Sequence, residues 1–161
     1  MTGNNTFTTP ITDRYFEDYI PGSIYEFGTI SVTQEQIIAF AKDFDPQDFH
    51  VDPEAAKQTI FGGLIASGFH TAGLMMRLYA DHYLSRVASL SSPGVDELRW
   101  KHPVRPGDEL SIRVTVVEAR RSNSKPDRGI VRSFIEVLNQ NHEVVMSMIA
   151  LNLLLCRNLS Q

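Results

Sequence analysis

The sequence predicts an α+β domain in which an antiparallel sheet packs around one long buried helix. Two observations lead to this expectation. Apolar residues fill most of the circumference of a predicted helix at residues 68–84, which is typical of a helix inside a core. Four β-rich runs joined by turn-like connections follow this helix, at residues 95–100, 110–118, 129–138 and 144–154.

Length and composition fit one globular domain. The chain has 161 residues, of which 42% are hydrophobic and 21% charged, so it can bury one sizeable core. We expect residues 1–14 to form a polar N-terminal arm, of which about the first ten residues are loosely ordered, and residues 15–161 to form the single domain. The formal net charge of -4 gives no general attraction to nucleic acid or to an anionic membrane.

Neither a secretory signal nor a membrane span is evident in the sequence. The first ten residues lack a basic region followed by an apolar one, and no apolar run approaches the length that crosses a bilayer. We therefore expect a cytoplasmic protein. Cys156 is the only cysteine and adjoins the apolar run 151–155, so we expect a buried thiol rather than a reactive one.

A strand and a helix are predicted before the buried helix. A turn signal at residues 20–22 precedes an alternating run at residues 23–30, which predicts a strand. The segment Thr33-Gln-Glu-Gln36 has the form of a capping box, so a helix should begin after Thr33. The proline after Asp45 disfavours helical backbone at the preceding residue, so this helix should end at Asp45.

The next signals predict a short helix and a loop. Asp52-Pro53 combines a preferred N-cap residue with proline at the first helical position, which predicts a helix at residues 53–58. Residues 61–68 are rich in small side chains and form a loop, in which Ser67 can cap the long helix. Residues 91–94 read as a turn before the first of the four strands.

Two titratable side chains lie close together between the first two helices. Asp45 and His50 are five residues apart across a proline-containing turn, so they can converge on one water molecule. A carboxylate and an imidazole are suited to moving the proton of that water near neutral pH. The alternative interpretation is structural, because aspartate often caps helices and turns.

A metal site is a second alternative for this segment. Asp45, Asp48, His50 and Asp52 include oxygen and nitrogen atoms that could bind a cation. Their spacing matches neither an EF-hand loop nor a zinc cluster. Phosphate-binding loops, nucleophile elbows and dinucleotide-binding glycine motifs are absent from the sequence. We therefore expect neither a metal nor a cofactor.

Three segments of the sequence resemble one known family. Asp45-Pro-Gln47-Asp-Phe-His50 is similar to the Asp-x-Asn-Pro-x-His motif of the MaoC-like dehydratases and (R)-specific enoyl-CoA hydratases. Residues 61–68 resemble the family's loop that ends in His-Gly, and residues 100–108 resemble its entry into a central strand. The three segments occur in the family's order, and the resemblance covers residues 15–155.

The resemblance implies a fold and an activity. The expected fold is the hot-dog fold, an antiparallel β-sheet wrapped around a long central helix, with two chains in a homodimer. The expected activity is the reversible hydration of trans-2-enoyl-CoA to 3-hydroxyacyl-CoA, with (R) specificity, as in fatty acid metabolism. Such a hydro-lyase needs no cofactor, since the thioester itself acidifies C2 and makes C3 electrophilic.

The same resemblance implies roles for five residues. Asp45 and His50 hold and activate the water, and the backbone N–H of Gly68 binds the thioester oxygen. Gln47 and Ser67 are expected to bind the substrate. The role of Gly68 also has a physical basis, because free N–H groups at a helix N-terminus favour a developing oxyanion. The alternative for Gly68 is packing, in which the missing side chain lets the helix meet the sheet.

The sequence departs from the family motif at three positions. Gln47 stands in place of asparagine, Asp48 in place of proline and Ser67 in place of histidine. Gln47 can still donate an amide hydrogen bond, although its extra methylene shifts the donor. Two other functions stay open: a hot-dog acyl-CoA thioesterase and, because of these departures, a non-catalytic subunit that binds acyl thioesters.

Several further side chains have two interpretations each. His70, near the start of the long helix, could face the pocket or belong to the core or an interface. The apolar residues Met75, Met76 and Leu78 could line an acyl-chain tunnel, although core packing is usual for such a stripe. Four basic side chains could contact CoA phosphates or form a solvated edge: Lys101, Arg105, Arg120 and Arg121.

Overall fold

The computed structural model describes residues 4–159, and this part of the chain forms five β-strands and four α-helices. In chain order they are β1 (Ile24–Ser31), α1 (Gln34–Phe44), α2 (Asp48–Val51), α3 (Pro53–Ala56), α4 (Gly68–His82), β2 (Ser89–Trp100), β3 (Glu109–Arg121), β4 (Arg128–Leu138) and β5 (Val144–Leu155). Two 3₁₀ turns, Ile11–Asp13 and Phe16–Asp18, precede β1. Among the described helices, none is long and apolar enough to cross a membrane.

The five described strands form one antiparallel sheet. Their order across the sheet is β1-β3-β4-β5-β2, so β1 and β2 are the two edges. Side chains of β3 alternate between the buried and the outer face, and the buried ones include Leu110, Ile112, Val114 and Val116. The antiparallel sheet and the α+β class predicted from the sequence are confirmed.

Helix α4 packs one of its faces against the sheet. It contacts β1 and β3, and its residues Met75, Leu78 and Tyr79 belong to the core that it shares with the strands. The opposite face is open to solvent, and Met76 there is 44% exposed. The prediction of a helix buried all round is therefore wrong for the single chain, because no other element within residues 4–159 covers this outer face.

Strand β2 differs from the sequence prediction at its start. The sequence predicts a turn at residues 91–94, whereas β2 begins at Ser89 and continues through them. Pairing with β5 is irregular between Ser91 and Gly94. Pro93 has no N–H group to give to the sheet, so the local sequence has turn character although the strand continues. Pairing with β5, a distant part of the chain, decides the outcome.

Residues 5–14 pack against the domain. The ring of Phe7 stacks on Tyr25 with a centroid distance of 3.9 Å. Arg14 donates to two backbone carbonyls at the end of α4, at 2.9 and 3.0 Å, where a cation complements the C-terminal end of the helix. The expectation of a loosely ordered arm is therefore wrong for these residues, because one aromatic and one basic side chain fix an otherwise polar segment.

Local end signals position the segment that contains the candidate acid–base pair. Helix α1 begins after the capping box at Thr33 and ends at the C-cap residue Asp45, as the sequence predicts. Asp52 caps α3 by accepting two backbone N–H groups, and proline follows it, which is also as predicted. The short helix α2 between them is not anticipated by these signals, and it contains His50.

Candidate active site

A pocket of about 400 Å³ opens beside the N-terminus of α4. Its wall combines the side chains of Asp45 and His50 with the backbone of Gly68 and several apolar groups. The apolar groups include the rings of Phe61, Phe69 and Trp100. A concave, mostly apolar pocket with a few polar groups on its wall is typical of a small-molecule site.

Asp45 and His50 meet in this pocket, as their spacing predicts. Asp45 is the C-cap of α1 and His50 lies in α2, and Nε2 of His50 is 3.2 Å from Oδ2 of Asp45. The side chain of His50 is 5% exposed and that of Asp45 is 22% exposed. The carboxylate is therefore the more accessible member of the pair, and the imidazole is held behind it.

Two further side chains fix the Asp45 carboxylate. Nε2 of Gln47 donates to Oδ1 over 2.6 Å, and Oγ of Ser67 donates to Oδ2 over 2.7 Å. The pKa of the Asp45 carboxyl lies below its ordinary value, and the hydrogen bond from Gln47 is the largest cause. Partial burial acts in the opposite direction and raises this pKa, whereas Ser67 and His50 lower it further. Asp45 is therefore ionised throughout the neutral range.

Gln47 and Ser67 both contact Asp45, and neither of them lines the pocket. Ser67 is fully buried and makes no side-chain hydrogen bond to the start of α4. The prediction that the Ser67 side chain caps α4 is therefore wrong, because its hydroxyl donates to Asp45 instead. Contact between the Ser67 side chain and a substrate does not fit this burial, whereas contact between Gln47 and a substrate stays a prediction.

A hydrogen bond to the main chain fixes the ring of His50. Nδ1 lies 2.8 Å from the carbonyl oxygen of Ile65, and because this oxygen can only accept, Nδ1 carries a hydrogen and donates it. In the neutral ring Nε2 is then the free acceptor, and in the charged ring it donates towards Asp45. Nε2 is therefore the nitrogen that can exchange protons in the pocket.

Gly68 is the first residue of α4 and part of the pocket wall. Within residues 4–159, neither its N–H group nor that of Phe69 has a hydrogen-bond acceptor, as is usual in the first turn of a helix. A Cβ atom added to Gly68 would lie 2.4 Å from Cε2 of Trp100, so only glycine fits there. The structure is compatible with both interpretations of Gly68, the oxyanion donor and the packing residue.

The four basic candidates fall into two groups. Lys101 lines the pocket, and Arg105 donates to the carbonyl oxygen of Phe61 at 2.7 Å. Arg120 and Arg121 lie at the end of β3 and do not belong to the pocket wall. Of the four, Lys101 belongs to the pocket wall, and Arg105 is bonded to Phe61, which also belongs to it.

The other candidates on α4 do not line the pocket. His70 is 8% exposed, its ring stacks on Phe40 at 4.9 Å, and burial lowers the pKa of the imidazole. Met75 and Leu78 are buried in the core, whereas Met76 is exposed. Core packing therefore accounts for Met75 and Leu78, and none of the three apolar residues lines the pocket formed by residues 4–159.

Metal-binding and thiol chemistry find little support in the described part of the chain. Residues 4–159 contain no group of three or more His, Cys, Asp or Glu side chains that could hold a metal ion. Asp48 begins α2 and Asp52 caps α3. That the reaction needs no metal stays a prediction. Cys156 is buried, and burial raises the pKa of its thiol, which disfavours the reactive thiolate.

No sequence prediction places these aromatic rings in the pocket wall. Phe69 follows Gly68 directly, so its position in the chain could have indicated it. No local pattern links Trp100 to Gly68, since the two residues are 32 positions apart, yet Nε1 of Trp100 donates to the Gly68 carbonyl over 2.8 Å. The end of β2 and the start of α4 meet only in the folded chain.

An antiparallel sheet packed on a long helix, with a pocket beside the helix N-terminus, is the arrangement of a hot-dog domain. A family model of the MaoC-like domain matches residues 18–136, and the chain belongs to this family, which includes hydratases and dehydratases. The crystal structure of the MaoC-like dehydratase from Rhodospirillum rubrum is similar, with a TM-score of 0.84 and 41% sequence identity, over 90% of this chain and 99% of that one.

Two curated relatives are dehydratases. The 3-hydroxyacyl-thioester dehydratase Z of Mycobacterium tuberculosis is 31% identical over 110 residues, which cover 67% of this chain and 73% of that protein. The 3-hydroxybutyryl-CoA dehydratase of Methylorubrum extorquens is 30% identical over 109 residues, which cover 65% of this chain and 64% of that protein. The hot-dog fold and the family resemblance predicted from the sequence are confirmed.

Proposed function

We propose that this chain is a hydro-lyase that adds water reversibly to trans-2-enoyl-CoA and forms (R)-3-hydroxyacyl-CoA. The observation that carries the proposal is the pair of Asp45 Oδ2 and His50 Nε2, 3.2 Å apart in a pocket whose wall includes Gly68, the N–H group of which has no acceptor within residues 4–159. Hydration of an activated double bond requires a proton-transfer pair and a group that stabilises the enolate.

The reaction can be written with these three groups. A water molecule in the pocket lies within hydrogen-bond reach of both Asp45 and His50, and its oxygen bonds to C3 while the ionised Asp45 accepts its proton. The electrons of the double bond move to the thioester carbonyl, and the resulting enolate oxygen accepts the Gly68 N–H. Nε2 of the charged His50 then protonates C2. Transfer of the proton from Asp45 to His50 over their 3.2 Å separation restores the pair.

The fixed positions of the pair also bear on stereochemistry. Because Asp45 and His50 adjoin each other, the oxygen and the proton would reach the double bond from the same face, which is syn addition. Their orientation is held by Gln47 and Ser67 on the carboxylate and by the Ile65 carbonyl on the imidazole. The (R) configuration of the product is proposed from the resemblance to (R)-specific hydratases.

The substrate class is supported by the relatives and by the pocket wall. The two curated relatives are, by name, a dehydratase of 3-hydroxyacyl thioesters and one of 3-hydroxybutyryl-CoA. Lys101 lies on the pocket wall and has no acidic side-chain partner among residues 4–159, so it could meet a phosphate of the carrier. Coenzyme A is therefore proposed as the carrier of the acyl group.

The test is a set of trans-2-enoyl-CoA thioesters of increasing chain length. Loss of the absorbance of the conjugated thioester is followed in parallel with release of free thiol, and the product is analysed by chiral chromatography. Hydration predicts loss of conjugation without thiol, and an (R)-3-hydroxyacyl product. Thiol release would instead identify a thioesterase, and binding without either change would identify a non-catalytic acyl-thioester-binding subunit.

We also propose that two chains pair as a homodimer along β2. This edge strand is almost entirely exposed in the single chain, including Val95 at 49%. Exposed, unpaired edge strands with apolar side chains readily pair with another strand. Sedimentation analysis should give a dimer for the parent and a monomer for Val95→Lys. A monomeric parent would refute the pairing.

A further inference from the structure

Trp100 contacts the first turn of α4 in two ways. It is the last residue of β2, and Nε1 of its indole donates to the carbonyl oxygen of Gly68 over 2.8 Å. The ring of Phe69 meets the indole edge-on, with 5.2 Å between centroids and an interplanar angle of 69°. A hydrogen bond and an aromatic contact therefore join the end of one strand to the start of the helix.

The indole also lies directly against the backbone of Gly68. A Cβ atom built on Gly68 would be 2.4 Å from Cε2, 2.6 Å from Nε1 and 2.7 Å from Cδ2 of Trp100. The Cα–Cβ direction in a helix leans towards the N-terminus, so the ring lies beside the N-terminal end of α4. It occupies the place that a side chain of residue 68 would take.

The N–H groups at this end of the helix are the ones without acceptors. Those of Gly68 and Phe69 are free within residues 4–159, whereas the next two, of His70 and Thr71, donate to the Ser67 carbonyl. The bond from Trp100 to the Gly68 carbonyl involves the peptide whose N–H belongs to Phe69. A hydrogen bond to the carbonyl of a peptide strengthens its N–H as a donor.

We propose that Trp100 is the positioning residue for these two amide donors. Its indole holds the first turn of α4 against β2, so that the Gly68 and Phe69 N–H groups keep their direction in the pocket, and it excludes water on one side of them. This inference rests on the proposed function, since the donors act on the thioester oxygen. Trp100 itself takes no part in proton transfer.

The test compares three variants with the parent. Trp100→Phe keeps an aromatic ring and removes the N–H donor, and Trp100→Ala removes both. Lys125→Ala is the control, because Lys125 is exposed in the connection between β3 and β4, outside the pocket wall and away from the proposed β2 interface. The measurements are kcat and KM for the best enoyl-CoA and the thermal unfolding midpoint.

The expected result is a loss in kcat with little change in KM. A misplaced catalytic donor costs about 100-fold in rate, so Trp100→Ala should lose about 100-fold and Trp100→Phe about 10-fold, with KM within threefold of the parent. Lys125→Ala should match the parent. If Trp100→Ala does not fold, Trp100→Phe decides the question.

A spectroscopic measurement separates positioning from stability. The absorbance of a bound cinnamoyl-CoA, whose double bond is conjugated with a phenyl ring, moves to longer wavelength when strong donors polarise its carbonyl. This red shift should be present in the parent and in Lys125→Ala and should be reduced in Trp100→Phe. An unchanged red shift together with an unchanged kcat would overturn the inference.

Three other outcomes would also overturn it, and each has a different meaning. A rise in KM with kcat unchanged would make Trp100 a wall for the substrate rather than a positioning residue. A parent protein that hydrates no enoyl thioester would refute the proposed function and this inference with it. An active parent with a fully active Trp100→Phe refutes the inference alone.

Discussion

Adding one methyl group at Gly68 should destabilise the protein and disturb its only tryptophan. In Gly68→Ala the new Cβ would start 2.4 Å from the indole of Trp100. The ring cannot swing away freely, because its Nε1 is bonded to the Gly68 carbonyl and its edge meets Phe69. Either this hydrogen bond breaks or the first turn of α4 moves away from β2.

The magnitude follows from two opposing effects. Overpacking a tight contact costs about 1–3 kcal/mol. Replacing glycine by alanine in a helix returns about 0.5–1 kcal/mol. The expected net loss of unfolding free energy is about 1–2 kcal/mol, which lowers the unfolding midpoint of a domain of this size by roughly 2–8 °C.

Gly73 provides the control in the same helix. A Cβ atom added there meets nothing within 4 Å, so Gly73→Ala should gain stability by about 0.4–1 kcal/mol. Urea unfolding followed by far-ultraviolet circular dichroism measures both variants. Emission of the single tryptophan should change in Gly68→Ala and stay as in the parent in Gly73→Ala. Equal stability of the two variants, with unchanged emission, would refute the contact described for Gly68.

Three further predictions concern the chemistry of the pocket. Asp45→Asn and His50→Gln should each lower kcat by about 100- to 10,000-fold in the enoyl-CoA assay. The double variant should lose far less than the product of the two single losses, because both residues act on one water. Near-parental turnover in either single variant would remove that residue from the mechanism. Gln47→Leu removes the main cause of the lowered Asp45 pKa, so this pKa should rise. The acid limb of the kcat/KM profile should then move to higher pH. An unchanged acid limb would mean that another group titrates there. Activity should persist after exhaustive chelation and dialysis, and a loss reversed by one divalent metal would contradict this.

Several parts of the fold and site follow from local sequence. The capping box at Thr33 and the proline after Asp45 set the two ends of α1. The pairing of Asp45 with His50 needs only a short turn, so their spacing along the chain was enough to predict it. Capping hydrogen bonds join residues only a few positions apart, and side chains alternate along any strand. Both features can therefore be predicted from the local sequence.

Contacts between distant segments were decided by the tertiary structure. The sequence predicts that Ser67 caps α4, but in the structure its hydroxyl donates to Asp45, 22 residues earlier. Residues 91–94 have turn character, yet pairing with β5 makes them part of a strand. In both cases a contact with a distant residue competes with a local preference. Whether that contact forms depends on how the chain packs.

The sequence by itself determined the class of fold, the ends of the first helix and the proximity of Asp45 to His50. Only the tertiary structure decided which groups hold the Asp45 carboxylate and which ring lies on Gly68. The physical reason is that a residue type limits which contacts it can make, whereas the choice among them depends on which surfaces the packed sheet and helix bring together. The indole of Trp100 at Gly68 has no local signature, since it exists only where β2 and α4 meet.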